Sequence, residues 1–159
     1  KESVTNISAV VKKLTGKDIQ DYDLHVQFPG THNVDGDSAS ITMATAIISA
    51  FEGVPIDQNL AMTGSLSVRG EVLPIGGVSA KIEAAVKSGI ERVIIPRSNL
   101  QDVLIDEKYE SMVEVLPVDS LDEVLQHALV GAEEKVSLVE RLANVIDTIS
   151  SGPDTQPSA

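Results

Sequence analysis

The sequence predicts a single α/β domain with a mixed sheet, a β-hairpin and interleaved helices, and three observations predict it. Segments with apolar residues at helical spacing alternate with short β-branched runs, as in layered helix-and-sheet folds. Two strand-like runs flank Arg69-Gly70 closely enough to form a hairpin, which excludes a purely parallel sheet. The length of 159 residues suits one domain. Folding at that size removes roughly 70% of the unfolded chain's surface from water, enough for a proper core.

Residues 1–15 place Val4, Ile7, Val11 and Leu14 at helical spacing, and Gly16 follows as a stop. No cap precedes this pattern, which suggests that natural sequence lies before Lys1. Over 23–28, Leu24, Val26 and Phe28 alternate with His25 and Gln27, the period of a half-buried strand, and Pro29-Gly30 ends it. A polar loop over 31–37 leads into 38–51, an Ala- and Ile-rich segment closed by Gly53 and Pro55 that reads as a buried helix. The hairpin strands span 60–68 and 71–75, after which Gly76-Gly77 turns into a helix over about 79–88, capped by Gly89. Residues 92–96 form a β-branched strand, Ser98-Asn99 begins a short helix, and 113–118 repeats the strand signal. Ser120 then caps a helix reaching about Val130, with Asp122 and Glu123 favourably placed in its first turn. Residues 131–149 read as a helical extension, and the Ser- and Pro-rich 150–159 as a disordered tail.

Composition narrows the function. With 12 basic against 24 acidic residues the chain repels phosphate backbones, so nucleic acid is not an expected partner. Aromatics amount to 3%, too few for a base-stacking platform, and the core must be aliphatic. The absence of cysteine excludes disulfides, thiolate metal sites and a cysteine nucleophile. No apolar run is long enough to span a bilayer, and no signal-peptide core is visible.

Two segments can carry chemistry. The first is Asp35-Gly36-Asp37-Ser38-Ala39-Ser40, a loop running directly into a helix. Its small residues let a substrate approach the Ser38 hydroxyl, and free N–H groups of a first helical turn can stabilise an oxyanion. The plainer reading makes Ser38 an N-cap. The second is Gly76-Gly77-Val78-Ser79-Ala80-Lys81, where Lys81 falls near a helix start. A lysine serves as general base only if burial or a helix N-terminus brings its pKa toward the working pH, and most lysines are simply solvated. The Gly76-Gly77 turn lacks the following G-K-[ST] of a phosphate loop, so a phosphotransferase is disfavoured. A triad of His32, Asp35 and Ser38 would crowd three members onto one loop, whereas triads draw on separate elements. His25 and His127 read as surface or strand-edge residues. A metal site from His25, His32, Asp35 and Asp37 has no recognisable ligand spacing.

The two segments gain force together. Residues 35–40 resemble the nucleophile motif of archaeal, B-type Lon proteases, and the run from Met62 to Gly77, MTGSLSVRGEVLPIGG, resembles that family's long signature. The spacing from Ser38 to Lys81 also agrees with the family, and the resemblance runs to about Val130. Asp37 and Ser40 stand where the bacterial branch carries Pro and Gly, which points to the archaeal-like branch. The resemblance implies a compact Lon-type peptidase domain over 1–130, lacking some tens of residues at its front. It implies a serine endopeptidase in which Ser38 and Lys81 form a catalytic dyad acting through an acyl-enzyme, with Thr63 hydrogen-bonded to the lysine. It further implies that Asp35 and Asp37, which border the nucleophile in this branch, are candidates to pair with Lys81 in a resting state. No cofactor is implied in this chain; ATP and Mg belong to an AAA+ module of the full-length protein. The implied partners are that module, unfolded or misfolded protein substrates, and further copies in a homohexamer serving protein quality control. The implied location is the cytoplasm, with any membrane anchor carried by the ATPase module. The rival reading is a non-catalytic assembly module of the same fold.

Overall fold

The computed structural model describes residues 2–30 and 37–131, together with Leu138, Glu140, Arg141 and Asn144. Five α-helices and five strands are found there: α1 (Glu2–Thr15), α2 (Ser40–Glu52), β1 (Leu60–Met62), β2 (Ser65–Leu66), β3 (Val72–Leu73), α3 (Val78–Lys87), β4 (Arg92–Pro96), α4 (Glu107–Glu110), β5 (Glu114–Val118) and α5 (Leu121–Ala128). The fold is α/β with both kinds of strand pairing, and each kind keeps to its own sheet. Strands β1, β4 and β5 form a parallel sheet with β4 in the middle, and β2 pairs antiparallel with β3.

The central strand explains the layering. Val93 through Pro96 are all buried, and alternate side chains enter two different cores. Ile94 joins the larger core, filled by Ile7, Val11, Ile41, Ile48, Leu121 and Leu125 from α1, α2 and α5. Val93 and Ile95 face Val78 and Ile82 of α3 on the other side. A parallel strand buried on both faces reads as a continuous apolar run, which is what Val93-Ile94-Ile95 is.

Helix α1 buries Ile7, Val10, Val11 and Leu14, an i, i+3, i+4, i+7 stripe; Val4, expected in that stripe, is exposed instead. Its Gly16 has φ +73°, the left-handed conformation that ends a helix cheaply. Helix α2 is buried on more than one side, as its Ala- and Ile-rich sequence implies, and ends at Gly53 with φ +67°. At its end Glu52, its side chain 8% exposed, meets Lys17 at 3.4 Å and Arg141 at 2.7 Å. Burial pushes its carboxyl up, but these two cations outweigh that and hold it below its ordinary value. Within 132–149 the four described residues have helical backbone, and Leu138 enters the core.

Several expectations are corrected. Residues 23–29 belong to no strand or helix, and Leu24, Val26 and Phe28 are all exposed. The strand expected over 60–68 is two strands, because Thr63-Gly64 leaves β1 and gives its backbone bonds elsewhere: Thr63 N–H donates to Ile94 at 3.0 Å and Gly64 N–H to Ser38 at 2.8 Å. Ser120 occupies the N-cap of α5, yet its hydroxyl makes no capping bond. The short helix expected to begin at Ser98-Asn99 is a 3₁₀-helix, Arg97–Asp102, and α4, absent from the sequence reading, is capped by Asp106, whose carboxylate accepts from Lys108 N–H. The loop 31–36 and the tail 150–159 lie outside the described residues. Among the described residues no helix is long and apolar enough to cross a membrane.

Candidate active site

Ser38 sits in the turn that enters α2, half-exposed. It is not the helix cap. Ala39 holds the N-cap position, and Asp37 C=O closes the turn by accepting from Ser40 N–H at 2.9 Å and Ser40 Oγ at 2.5 Å. Among the described residues the Ser38 hydroxyl has no hydrogen-bond partner, so the N-cap reading fails on geometry. The expected row of free helix amides is also reduced. Ser40 N–H is spent on Asp37 and Ile41 N–H on Gly64 C=O at 3.3 Å, whereas the Ser38 and Ala39 amides have no partner among the described residues.

The turn is pinned by the segment between β1 and β2. Ser38 C=O accepts from Gly64 N–H at 2.8 Å and from Thr63 Oγ1 at 3.2 Å. One residue earlier, the Asp37 carboxylate accepts from Ser65 Oγ at 2.7 Å. Asp37 therefore faces Ser65, and among the described residues no carboxylate pairs with Lys81, contrary to the expected contact. Asp35, Gly36 and His32 lie outside the described residues, so the triad and the Asp35 contact have no geometry here.

Lys81 is in the first turns of α3, four residues past the N-cap Gly77, whose φ of +69° lets the chain turn sharply into the helix. Val78 and Ile82 bury the flanking face against β4, which leaves Lys81 half-buried. Its Nζ donates to Thr63 Oγ1 at 3.2 Å. Thr63, 7% exposed, thus accepts from the lysine and donates to the Ser38 carbonyl. Three elements converge through that one hydroxyl: the α2 entry, the β1–β2 link and α3.

Sequence reasoning missed Ser65 and the full part of Gly64. The available signal was the small-residue run Thr63-Gly64-Ser65 interrupting an apolar strand pattern. A Cβ on Gly64 would lie 3.0 Å from both Ile41 Cδ1 and Val72 Cγ1. Gly64→Ala is expected to destabilise the protein by about 1–3 kcal/mol through overpacking, read in a urea titration, and to lower activity beyond the loss of folded protein because the same residue anchors Ser38. A variant with wild-type stability would show that Ile41 and Val72 can move aside.

His25 is exposed in the unpaired 23–29 segment, and His127 lies in the last turn of α5. Among the described residues no group of three His, Asp or Glu is arranged to hold a metal. A cavity of about 640 Å³ at the far end of α3, lined by Gly89, Ile90, Arg92 and Met112 among others, touches none of Ser38, Thr63 or Lys81.

Residues 1–131 match the family described as the Lon protease (S16) C-terminal proteolytic domain. The chain is 54% identical over 152 residues to an archaeal Lon protease of Methanothermobacter thermautotrophicus, covering 95% of this chain and 23% of that protein. It is 57% identical over 146 residues to that of Halobacterium salinarum, covering 91% and 21%. To a Lon protease of Azorhizobium caulinodans it is 43% identical over 121 residues, covering 75% and 14%. The chain spans less than a quarter of the length of these relatives. By the match of its own residues 1–131, it belongs to the family of Lon protease C-terminal proteolytic domains.

Proposed function

We propose that this chain is a serine peptidase in which Ser38 is the nucleophile, Lys81 the general base and Thr63 the hydroxyl that orients the lysine. The observation that supports this reading is the Lys81–Thr63–Ser38 connection, in which Lys81 Nζ reaches Thr63 Oγ1 and that hydroxyl reaches the Ser38 backbone carbonyl, while the Ser38 hydroxyl itself has no partner, Lys81 included, among the described residues. Lys81 with a free lone pair takes the Ser38 proton as Oγ attacks the peptide carbonyl carbon. The resulting ammonium returns that proton to the departing amine, leaving an ester on Ser38. Water, deprotonated by Lys81, then releases the acid and restores the serine. The Ser38 and Ala39 amides, without a partner among the described residues, are candidate donors for the oxyanion.

In the full-length protein this domain works beside an AAA+ module that uses ATP and Mg to unfold damaged or misfolded proteins, within a homohexameric ring. Its location is cytoplasmic, with membrane attachment, where present, through the ATPase module. The relatives' name, archaeal Lon protease, supports the protease part of this setting, and the chain's coverage of less than a quarter of each supports its being one part of a longer protein.

A serine-reactive phosphonate probe followed by mass mapping tests the core of the reading. Labelling is expected at Ser38 alone and lost in Lys81→Ala. A folded protein that leaves Ser38 unlabelled would return the non-catalytic assembly module.

A further inference from the structure

Asn99 is 3% exposed and lies in the 3₁₀-helix that follows β4. Its Oδ1 accepts from Ile75 N–H at 2.8 Å, and its Nδ2 donates to Ile75 C=O at 3.0 Å and to the Asp102 carboxylate at 3.0 Å. A buried side-chain amide thus clamps both polar groups of one backbone residue 24 positions away. Ile75 stands immediately before Gly76-Gly77, the turn from which α3 starts. Two glycines give that turn backbone freedom, so its direction needs an external restraint. A second restraint lies beside the first: Ser79 Oγ donates to Asp102 C=O at 3.0 Å and accepts from Leu104 N–H at 2.8 Å.

These contacts close a ring. Strand β4 fixes Thr63 through Ile94 C=O, and the same strand runs on through Pro96 to Asn99. Asn99 holds Ile75, Ile75 leads to α3, and α3 carries Lys81 back to Thr63. We infer that Asn99 is a positioning residue for the Ser38–Lys81 centre, acting on Lys81 by fixing the entry of α3. The inference rests on the catalytic reading above. Its physical basis is that a misplacement of about 1 Å at a catalytic group can cost on the order of 10²-fold in rate.

The test compares Asn99→Ala and Asn99→Asp, which keeps the acceptor for Ile75 N–H but loses the donors to its carbonyl and to Asp102 and sets a second carboxylate against Asp102, with the parent protein. For an unstructured fluorogenic peptide, kcat per mole of folded protein is expected to fall about tenfold or more in Asn99→Ala and in Asn99→Asp alike, with KM within about twofold. Amide hydrogen exchange is expected to quicken selectively over 76–82, with α2 unchanged. Unaltered kcat, or exchange that quickens equally in α2 and α3, would overturn the positioning role. Ser38→Ala run alongside separates the two failures. Turnover retained there removes the catalytic reading itself, whereas an inactive Ser38→Ala beside a fully active Asn99→Ala removes only the role of Asn99.

Discussion

Ser38→Ala and Lys81→Ala are each expected to lower kcat for an unstructured peptide by about 10³-fold or more, and the double variant to be no worse than either single one. Members of one catalytic unit fail together, because once the nucleophile cannot be deprotonated the remaining partner has nothing to act on. Neither change threatens the fold. Ser38 interacts with its neighbours through its backbone carbonyl, which alanine keeps, and its hydroxyl has no partner among the described residues. Lys81 is half-buried and gives up one hydrogen bond, to Thr63. Stability changes should therefore stay within about 1 kcal/mol, so that loss of turnover reports chemistry. Substantial turnover by Lys81→Ala would remove the dyad. His32→Ala should keep its activity, and its loss would revive the His32, Asp35 and Ser38 triad.

What a single sequence can report is periodicity, and where the fold follows periodicity it was legible. The stripe of α1, the buried run of β4 and the amphipathic α5 all follow from spacing, and the glycines at 16, 53 and 77 mark turns by their backbone freedom. The failures share one cause. Residues 23–28 alternate as a strand does, but alternation states a preference for one face and supplies no partner, and none pairs with it among the described residues. The break at Thr63-Gly64 is decided by acceptors at Ile94 and Ser38, and the turn of Asp37 toward Ser65 by a hydroxyl 28 positions away. Such contacts leave no local trace. The four-residue α4 is shorter than any window in which period can be read. For the site, local residues favoured a plain N-cap and a solvated lysine. Only the resemblance joined Ser38 to Lys81 and set Thr63 on the lysine, and the geometry adds the bond from Thr63 Oγ1 to the Ser38 carbonyl and Ala39 as the cap.

Thr63→Val is expected to lower kcat by roughly 10- to 100-fold, the scale on which loss of orientation at a catalytic group acts, while costing only about 1 kcal/mol of stability for the hydrogen bonds lost. Valine keeps the branched shape in a site that is 7% exposed, so packing is preserved and the hydroxyl alone is removed. Two bonds vanish with it, the acceptor for Lys81 Nζ and the donor to Ser38 C=O. The second is partly redundant, because Gly64 N–H still donates to the same carbonyl at 2.8 Å. The nucleophile turn should hold, then, and the lysine should lose its direction. Thr63→Ser provides the contrast, since it keeps the hydroxyl and removes only the methyl group. Peptide kinetics and urea unfolding on the two variants decide between the roles. If Thr63→Val turns over at the parent rate, Thr63 merely packs. If Thr63→Ser is as impaired as Thr63→Val, the hydroxyl alone is not enough and the methyl group is also needed to hold its direction. A large kcat loss in the valine variant alone, at nearly unchanged stability, is the signature of a hydroxyl that aims Lys81 at the serine it must deprotonate.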